Sequence, residues 1–150
     1  MEDPIVQAAQ LAFASRIKES NDVSKNTINA GEIGKAWRGA VHKLDPDRFL
    51  MEALVSPDLD QRIDIIDSKT GCAYEFKVSG KNASLEFYKN VVKVIIWNQR
   101  REKKLSALVF ITDEKDGRRS LDKPMPRAYI EYLAKEGIVV TIEYVRPGSQ

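Results

Sequence analysis

The chain has 150 residues, of which 43% are hydrophobic and 31% are charged, and its formal net charge is +2. This length and balance are ordinary for a soluble protein with one domain and a proper core. A single cysteine and a single histidine exclude an intrachain disulfide and leave no zinc site. We find no signal-peptide pattern and no apolar run of membrane-spanning length, so we expect a cytoplasmic protein without a membrane partner.

The first part of the chain predicts two helices and one strand. An amphipathic helix is expected over residues 4–19, with Pro4 in its first turn. A second helix is expected from about 30 to 44, and Asn29 with Glu32 has the spacing of a capping box at its start. Residues 48–55 alternate between apolar and polar types, which predicts the first strand.

A hairpin follows, with strands at 62–67 and 72–78 joined by a four-residue turn. If the residues on either side of the turn pair, Asp64 lies opposite Glu75, and Lys77 follows on the same face. Like charges that oppose each other destabilise a sheet, so this pair needs a partner, and a divalent metal would supply one. The alternate positions are apolar and are expected to share the opposite, core-facing side: Ile63, Ile65, Tyr74, Phe76 and Val78.

The remainder predicts a largely buried helix at 84–98, an apolar strand at 105–112 and a charged loop at 113–123. A last helix is expected from Pro126 to a stop at Gly137, followed by a strand at 138–145. This order of elements indicates an α/β domain with a mixed β-sheet flanked by helices. We find no linker that would divide residues 1–150 into two domains.

An Asp on one strand and Glu-x-Lys on the next, here Asp64 and Glu75-Phe76-Lys77, resembles the PD-(D/E)xK nuclease superfamily. The resemblance implies a restriction-endonuclease-like fold over about residues 30–145, with 1–29 as an N-terminal helical extension. It also implies that Asp64 and Glu75 bind Mg²⁺, for which Mn²⁺ can substitute. The Phe76 carbonyl would be a third ligand, and Lys77 would activate the attacking water.

Four other acidic residues are weighed beside this set. The resemblance implies that Glu32 reaches the metal from the preceding helix, and the capping box is an equally good explanation of it. Asp58 and Asp60 share strand parity with Asp64 only if the strand begins early, and they precede its apolar residues. Asp67 has the opposite parity and is assigned to the turn. Asp64 is therefore the better ligand.

The expected activity is a Mg²⁺-dependent endonuclease that acts on DNA, as a homodimer, in restriction, repair, recombination or defence. Metal-dependent RNase or toxin activity, and non-catalytic nucleic-acid binding by the same fold, stay open as alternatives. Nine residues beside the motif, on the crossover helix or in basic runs are candidate contacts to nucleic acid, although each also fits a solvated surface: Ser79, Lys81, Lys89, Lys93, Gln99, Arg100, Arg101, Arg118 and Arg119.

Overall fold

The computed structural model describes residues 3–17 and 26–148. These residues form an α/β domain whose helices and strands follow the chain in the order α1 (Pro4–Ile17), α2 (Asn26–Leu44), β1 (Phe49–Ser56), β2 (Leu59–Asp67), β3 (Cys72–Lys77), α3 (Ala83–Arg100), β4 (Ala107–Asp113), α4 (Glu114–Leu121), α5 (Pro124–Lys135) and β5 (Val139–Val145). The described part of the chain contains no helix that is both long and apolar enough to cross a membrane.

The five strands form one mixed sheet in the order β1-β2-β3-β4-β5. The first three strands are antiparallel neighbours, whereas β4 is parallel to β3 and β5 is parallel to β4. Parallel neighbours need a crossover connection, which α3 supplies between β3 and β4 and the α4–α5 pair supplies between β4 and β5. The predicted mixed sheet flanked by helices is confirmed.

Helices cover both faces of this sheet. On one face, α3 and α5 bury Phe87, Val94 and Leu133 against the strands. On the other face, α1 and α2 bury Phe13 and Trp37. The N-terminal helix, which we expected as an extension of the core, is therefore part of one of its two hydrophobic layers.

Local sequence features explain several boundaries. The Asp3 side chain caps α1 by accepting a hydrogen bond from the Ile5 N–H at 2.9 Å. Gly71 closes the predicted four-residue turn between β2 and β3 with a φ of 74°. Gly137 ends α5, as predicted, with a φ of 86°.

Two predicted boundaries were wrong by three residues or more, and one helix was not predicted. Helix α2 begins at Asn26, so Asn29 lies inside the helix and cannot be its N-cap. Strand β2 begins at Leu59 rather than at 62. The segment expected as a charged loop contains helix α4. Few residues of α4 are buried, so its sequence is polar and lacks the apolar periodicity that predicts a helix.

The prediction that Ile63 and Ile65 share one face was also wrong. Ile63 packs in the α3 layer, whereas Ile65 packs in the α1–α2 layer. The alternation reverses at Asp64, which lies opposite Glu52 in the register of β1 and β2. Glu52 has a φ of 49°, a left-handed conformation that interrupts the regular pleat.

Candidate active site

A cavity of about 320 Å³ opens where β2 and β3 separate, between α2 and α3. Asp64 of β2 and Glu75 and Lys77 of β3 line this cavity together. The pairing of Ile65 with Tyr74 confirms the predicted hairpin register, which sets Asp64 opposite Glu75. The structure thus brings the central predicted residues to one place.

The two carboxylates replace backbone pairing at this point, because the ladder between β2 and β3 ends at Ile65. The Asp64 N–H donates to Glu75 Oε1 at 3.2 Å. The Phe76 N–H donates to Asp64 Oδ2 at 3.1 Å. Within the described residues, no donor reaches the other oxygen of either carboxylate, Asp64 Oδ1 or Glu75 Oε2. Each carboxylate therefore keeps one oxygen for a ligand.

Glu75 is only 5% exposed, and its surroundings oppose its negative charge. Burial, followed by the neighbouring Asp64 carboxylate, raises the pKa of Glu75 well above its ordinary value. Lys93 of α3 offsets part of this effect, since its Nζ lies 3.4 Å from Glu75 Oε1. The Lys93 ammonium is held in place by donating to the Arg62 carbonyl at 2.7 Å.

The Phe76 carbonyl also faces the gap. The N–H and C=O of one strand residue point to the same side, and the Phe76 N–H is directed at Asp64 on β2. Regular pairing with β2 has ended before this position. The Phe76 ring packs edge-to-face on Trp37 of α2 with centroids 5.4 Å apart, which anchors this part of β3.

Two cationic side chains line the cavity without a partner among the described residues. Lys77 is half-buried, and Arg38 reaches the cavity from α2. Neither charged group has a hydrogen bond or ion pair with any residue that the structure describes. A Cβ at position 34 would lie 3.3 Å from Arg38 Nη1, so Gly34 leaves room for the guanidinium. These cations are available to an anionic ligand.

The oxygen donors at the gap fit a hard divalent cation. Two carboxylates and a backbone carbonyl are ligands that Mg²⁺ accepts, and Mg²⁺ usually keeps several waters beside one or two carboxylates. The described parts of the chain hold no group of three or more His, Cys, Asp or Glu side chains that could hold a metal ion. Asp64, Glu75 and the Phe76 carbonyl could therefore hold such an ion only with water or a neutral donor completing its shell.

Glu32 is exposed and does not line the cavity. The face of α2 that does so carries Ala30, Gly31, Gly34 and Arg38. Glu32 is therefore not in a position to reach the metal site. It does not form the predicted capping box either, because Asn29 lies inside α2.

The other acidic candidates have different positions. Asp58 is exposed beyond the end of β1 and forms an ion pair with Arg100. Asp60 is an exposed residue of β2. Asp67 is the last residue of β2 rather than part of the turn, and it is buried. Burial works to raise the pKa of Asp67, but hydrogen bonds from Arg48, both at 2.8 Å, and from other neighbours outweigh it and lower the pKa to about 2.

Among the candidate nucleic-acid contacts near the motif, Ser79 and Lys93 line the cavity. Ser79 is exposed and its Oγ accepts a hydrogen bond from the Lys81 N–H at 3.3 Å. Lys93 is 9% exposed, and its ammonium is engaged inside the protein. Lys89 is exposed and lies 4.0 Å from Glu86.

The remaining candidates lie outside the cavity lining. Gln99 and Arg119 are exposed, and Arg100 is paired with Asp58. Arg101 lies 3.8 Å over the Trp97 ring and donates to a backbone carbonyl of β1. Arg118 pairs with a neighbouring carboxylate of α4 and lies over an aromatic ring of β5. The structure does not bring these five residues together with Asp64 and Glu75.

Three polar or charged residues of the cavity were not among the predicted site residues: Arg38, Glu86 and Asn90. Asn90 follows Glu86 by four residues and precedes Lys93 by three, so all three lie on one face of α3. That spacing was a usable signal. Arg38 gave none, because a single Arg in a mixed polar helix is ordinary.

A larger cavity, of about 710 Å³, lies elsewhere, between α1 and β5. Its carboxylates belong to Asp3 and Glu143, and Asp3 is engaged by the Tyr74 hydroxyl at 2.7 Å. No cationic side chain lines this cavity among the described residues. It lacks the combination of paired carboxylates and free cations that marks the gap between β2 and β3.

The arrangement at this gap can bind a hard cation through its carboxylates and an oxyanion through its free Lys and Arg side chains. Such a combination suits a ligand that carries phosphate. Comparison of the chain with protein-family models, with curated proteins and with solved structures found no match.

Proposed function

We propose that the protein is a Mg²⁺-dependent endonuclease that hydrolyses phosphodiester bonds of DNA. The observation that carries the proposal is the opposed pair Asp64 and Glu75, which share one cavity with Lys77, whose ammonium has no partner among the residues that the structure describes. Two carboxylates in such proximity raise the free energy of the metal-free protein, and a cation between them would remove that cost.

Each residue of the motif has a role in this proposal. Asp64, Glu75 and the Phe76 carbonyl would hold the ion, and Lys93 keeps Glu75 in position. When bound, Mg²⁺ would lower the pKa of a coordinated water and stabilise charge on the phosphate. Lys77 would orient the attacking water by donating a hydrogen bond to its oxygen.

The topology supports the restriction-endonuclease-like fold that the motif implies. Three antiparallel strands are followed by a crossover helix and a parallel strand, and the motif lies at the end of the third strand. Helix α2 precedes the first strand and contributes Arg38 to the same cavity. Fold alone does not imply activity, so the proposal depends on the site.

A nucleic-acid substrate fits the charges around the motif. Lys77 and Arg38 can contact phosphate oxygens, and guanidinium groups bind phosphate in two-point geometry. A cut through both strands of a duplex would need two such sites, which a homodimer would provide.

The test is a cleavage assay on plasmid DNA, duplex and single-stranded oligonucleotides, and tRNA, with Mg²⁺, with Mn²⁺ or with EDTA. We expect metal-dependent cutting of DNA that falls by at least about 100-fold in Asp64→Ala and in Lys77→Ala. Lys69→Ala is the matched control, because Lys69 is an exposed residue of the same hairpin, at its turn.

The pattern of substrates distinguishes the alternatives. Cutting of tRNA but not of DNA would replace the proposal with a metal-dependent RNase. Binding of nucleic acid without cleavage under any of these conditions would contradict nuclease activity and indicate a binding protein.

A further inference from the structure

Helix α3 presents a polar stripe to the same cavity. Glu86, Asn90 and Lys93 follow one another at intervals of four and three residues, and all three line the cavity with Asp64 and Glu75. The Asn90 side chain is at the centre of this stripe, and the residue is only 2% exposed.

The carboxamide oxygen of Asn90 has no hydrogen-bond partner. Within the described residues, it is the one fully buried side-chain polar atom in this condition. Buried polar atoms are nearly always hydrogen-bonded, because losing water without replacing it costs free energy. The nearest donor on the same stripe, the Lys93 ammonium, is directed at the Arg62 carbonyl and at Glu75.

An unsatisfied oxygen in the same cavity as two carboxylates that each keep a free oxygen indicates a shared, positively charged ligand. In the metal-free protein, a carboxylate in place of the Asn90 amide would add repulsion to a pair that is already opposed. A neutral amide oxygen adds a donor without adding charge, and amide oxygens are among the hard ligands that divalent cations accept.

We propose that Asn90 Oδ1 supplies a further oxygen donor to the divalent cation held by Asp64 and Glu75, either directly or by accepting a hydrogen bond from a water on that cation. This inference rests on the proposed function, since it concerns the same ion. It adds a residue of α3 to a site otherwise built from the β2–β3 hairpin.

The test measures metal affinity rather than cleavage. Mg²⁺ and Mn²⁺ are titrated into the full-length wild type and into Asn90→Leu, which keeps the approximate size of the side chain and removes its oxygen. We expect the affinity for both ions to fall about 10-fold or more, as for the loss of supporting groups at metal sites. The denaturant midpoint in EDTA should not fall, because the substitution removes an unsatisfied polar atom.

Asn98→Leu is the matched control on the same helix. Asn98 lies outside the cavity lining, and both ends of its amide are hydrogen-bonded to Leu105, at 2.8 and 2.7 Å. We expect Asn98→Leu to lower the denaturant midpoint and to leave metal affinity unchanged. Asn90→Leu should thus change metal affinity without lowering stability, whereas Asn98→Leu should lower stability without changing metal affinity.

Asn90→Asp is the second variant and keeps the test decisive if Asn90→Leu does not fold. It retains the oxygen and adds negative charge, so Mg²⁺ affinity should rise above that of the wild type. Wild-type affinity in Asn90→Leu, or in Asn90→Asp, would overturn the role of Asn90 alone. If the wild type itself bound neither ion, the proposed function would fail together with this inference.

Discussion

Asp64 and Glu75 bring two carboxylates close together in a partly enclosed site, an arrangement that opposes stability and is typical of functional sites. Their mutual position follows from strand alternation and a four-residue turn, so the sequence predicted it. The sequence did not predict that the side chains would also replace two backbone hydrogen bonds, because this depends on where β2 separates from β3.

We expect Asp64→Asn to stabilise the metal-free protein by about 1 kcal/mol at neutral pH. The pKa of Glu75 is raised in the folded state by burial and by the Asp64 charge. The folded protein therefore loses stability as the pH rises above about 4, where Glu75 ionises in the unfolded chain. Removing the Asp64 charge removes part of that loss, so the gain should be largest near pH 7 and disappear below about pH 4.

Urea denaturation in EDTA across this pH range measures the effect of Asp64→Asn. Asp60→Asn is the control, because Asp60 is an exposed carboxylate of the same strand. Equal stability of the wild type and Asp64→Asn at pH 7 would show that the paired carboxylates are not a source of instability.

Arg38 is expected to contribute to substrate binding, because its guanidinium has no partner in the described part of the chain. Arg38→Gln should weaken DNA binding about 10-fold in Ca²⁺, which is used to limit cleavage, and should reduce the salt dependence of binding by about one phosphate contact. Fluorescence anisotropy at several salt concentrations measures both quantities. Lys35→Gln removes the same charge from an exposed position of α2, so a loss of equal size there would contradict a specific role for Arg38.

Asn90 shows why part of the site could not be identified from residue types. The spacing of Asn90 from Glu86 and Lys93 could place it on a polar stripe of α3, but its residue type, shared with Asn98 of the same helix, predicts nothing about its partners. Its significance depends on burial and on an oxygen without a hydrogen bond, both of which are properties of the folded protein.

At the scale of elements, the break in β1 and β2 controls which side chains face each core layer. Glu52 adopts a φ of 49° directly across from Asp64, and the two strands reverse their alternation there. Neither Gly nor Asn marks this position, so local propensity gave no signal for the irregularity. The sequence therefore predicted that β1 and β2 exist, but it did not predict toward which core layer the Ile63 side chain points.

Glu52→Val should destabilise the protein by about 1–2 kcal/mol, because a β-branched side chain is strained at a positive φ. Glu52→Gly should remain within about 0.5 kcal/mol of the wild type, since Gly adopts this conformation without strain. Chemical denaturation of both variants measures the difference. A Glu52→Val protein as stable as the Gly variant would mean that the left-handed conformation is not maintained in solution.

Helix α4 illustrates a second limit of sequence patterns. Only Gly117 and Leu121 of its eight residues are buried, so it lacks the apolar stripe by which amphipathic helices are recognised. Its position depends on close contact with the loop after β3, where a Cβ on Gly80 would lie 2.8 Å from the Asp113 carbonyl oxygen. This tertiary contact connects α4 to the segment that carries Ser79 and the end of the motif.

At the scale of the whole molecule, the sheet is stabilised from two sides, and the site lies where helices from both layers approach it. Helix α2 supplies Arg38 and supports Phe76 through Trp37, while α3 supplies Asn90 and Lys93. The order of elements predicted this layered arrangement. It did not reveal that α1 is needed to complete one layer.

The contribution of α1 can be tested with one buried and one exposed residue of the same helix. Phe13 is 2% exposed and packs in the layer that contains Trp37, whereas Leu11 is 71% exposed. Helix α1 also accepts a hydrogen bond from Trp37 Nε1 at the Ile5 carbonyl, at 3.0 Å, which ties it to α2. Phe13→Ala should therefore destabilise the protein by about 3–5 kcal/mol, and Leu11→Ala by less than about 0.5 kcal/mol.

Loss of Phe13 should also affect the candidate active site, because Trp37 packs on Phe76 and Phe76 adjoins both carboxylates. Urea denaturation gives the stability of each variant, and Mg²⁺ titration under fully folding conditions gives the effect on the site. If Phe13→Ala were as stable as Leu11→Ala, α1 would be a separable extension, as the sequence suggested. A large loss of stability would instead make α1 part of the framework that positions β3, and a truncation at residue 30 would then remove structural support together with the extension.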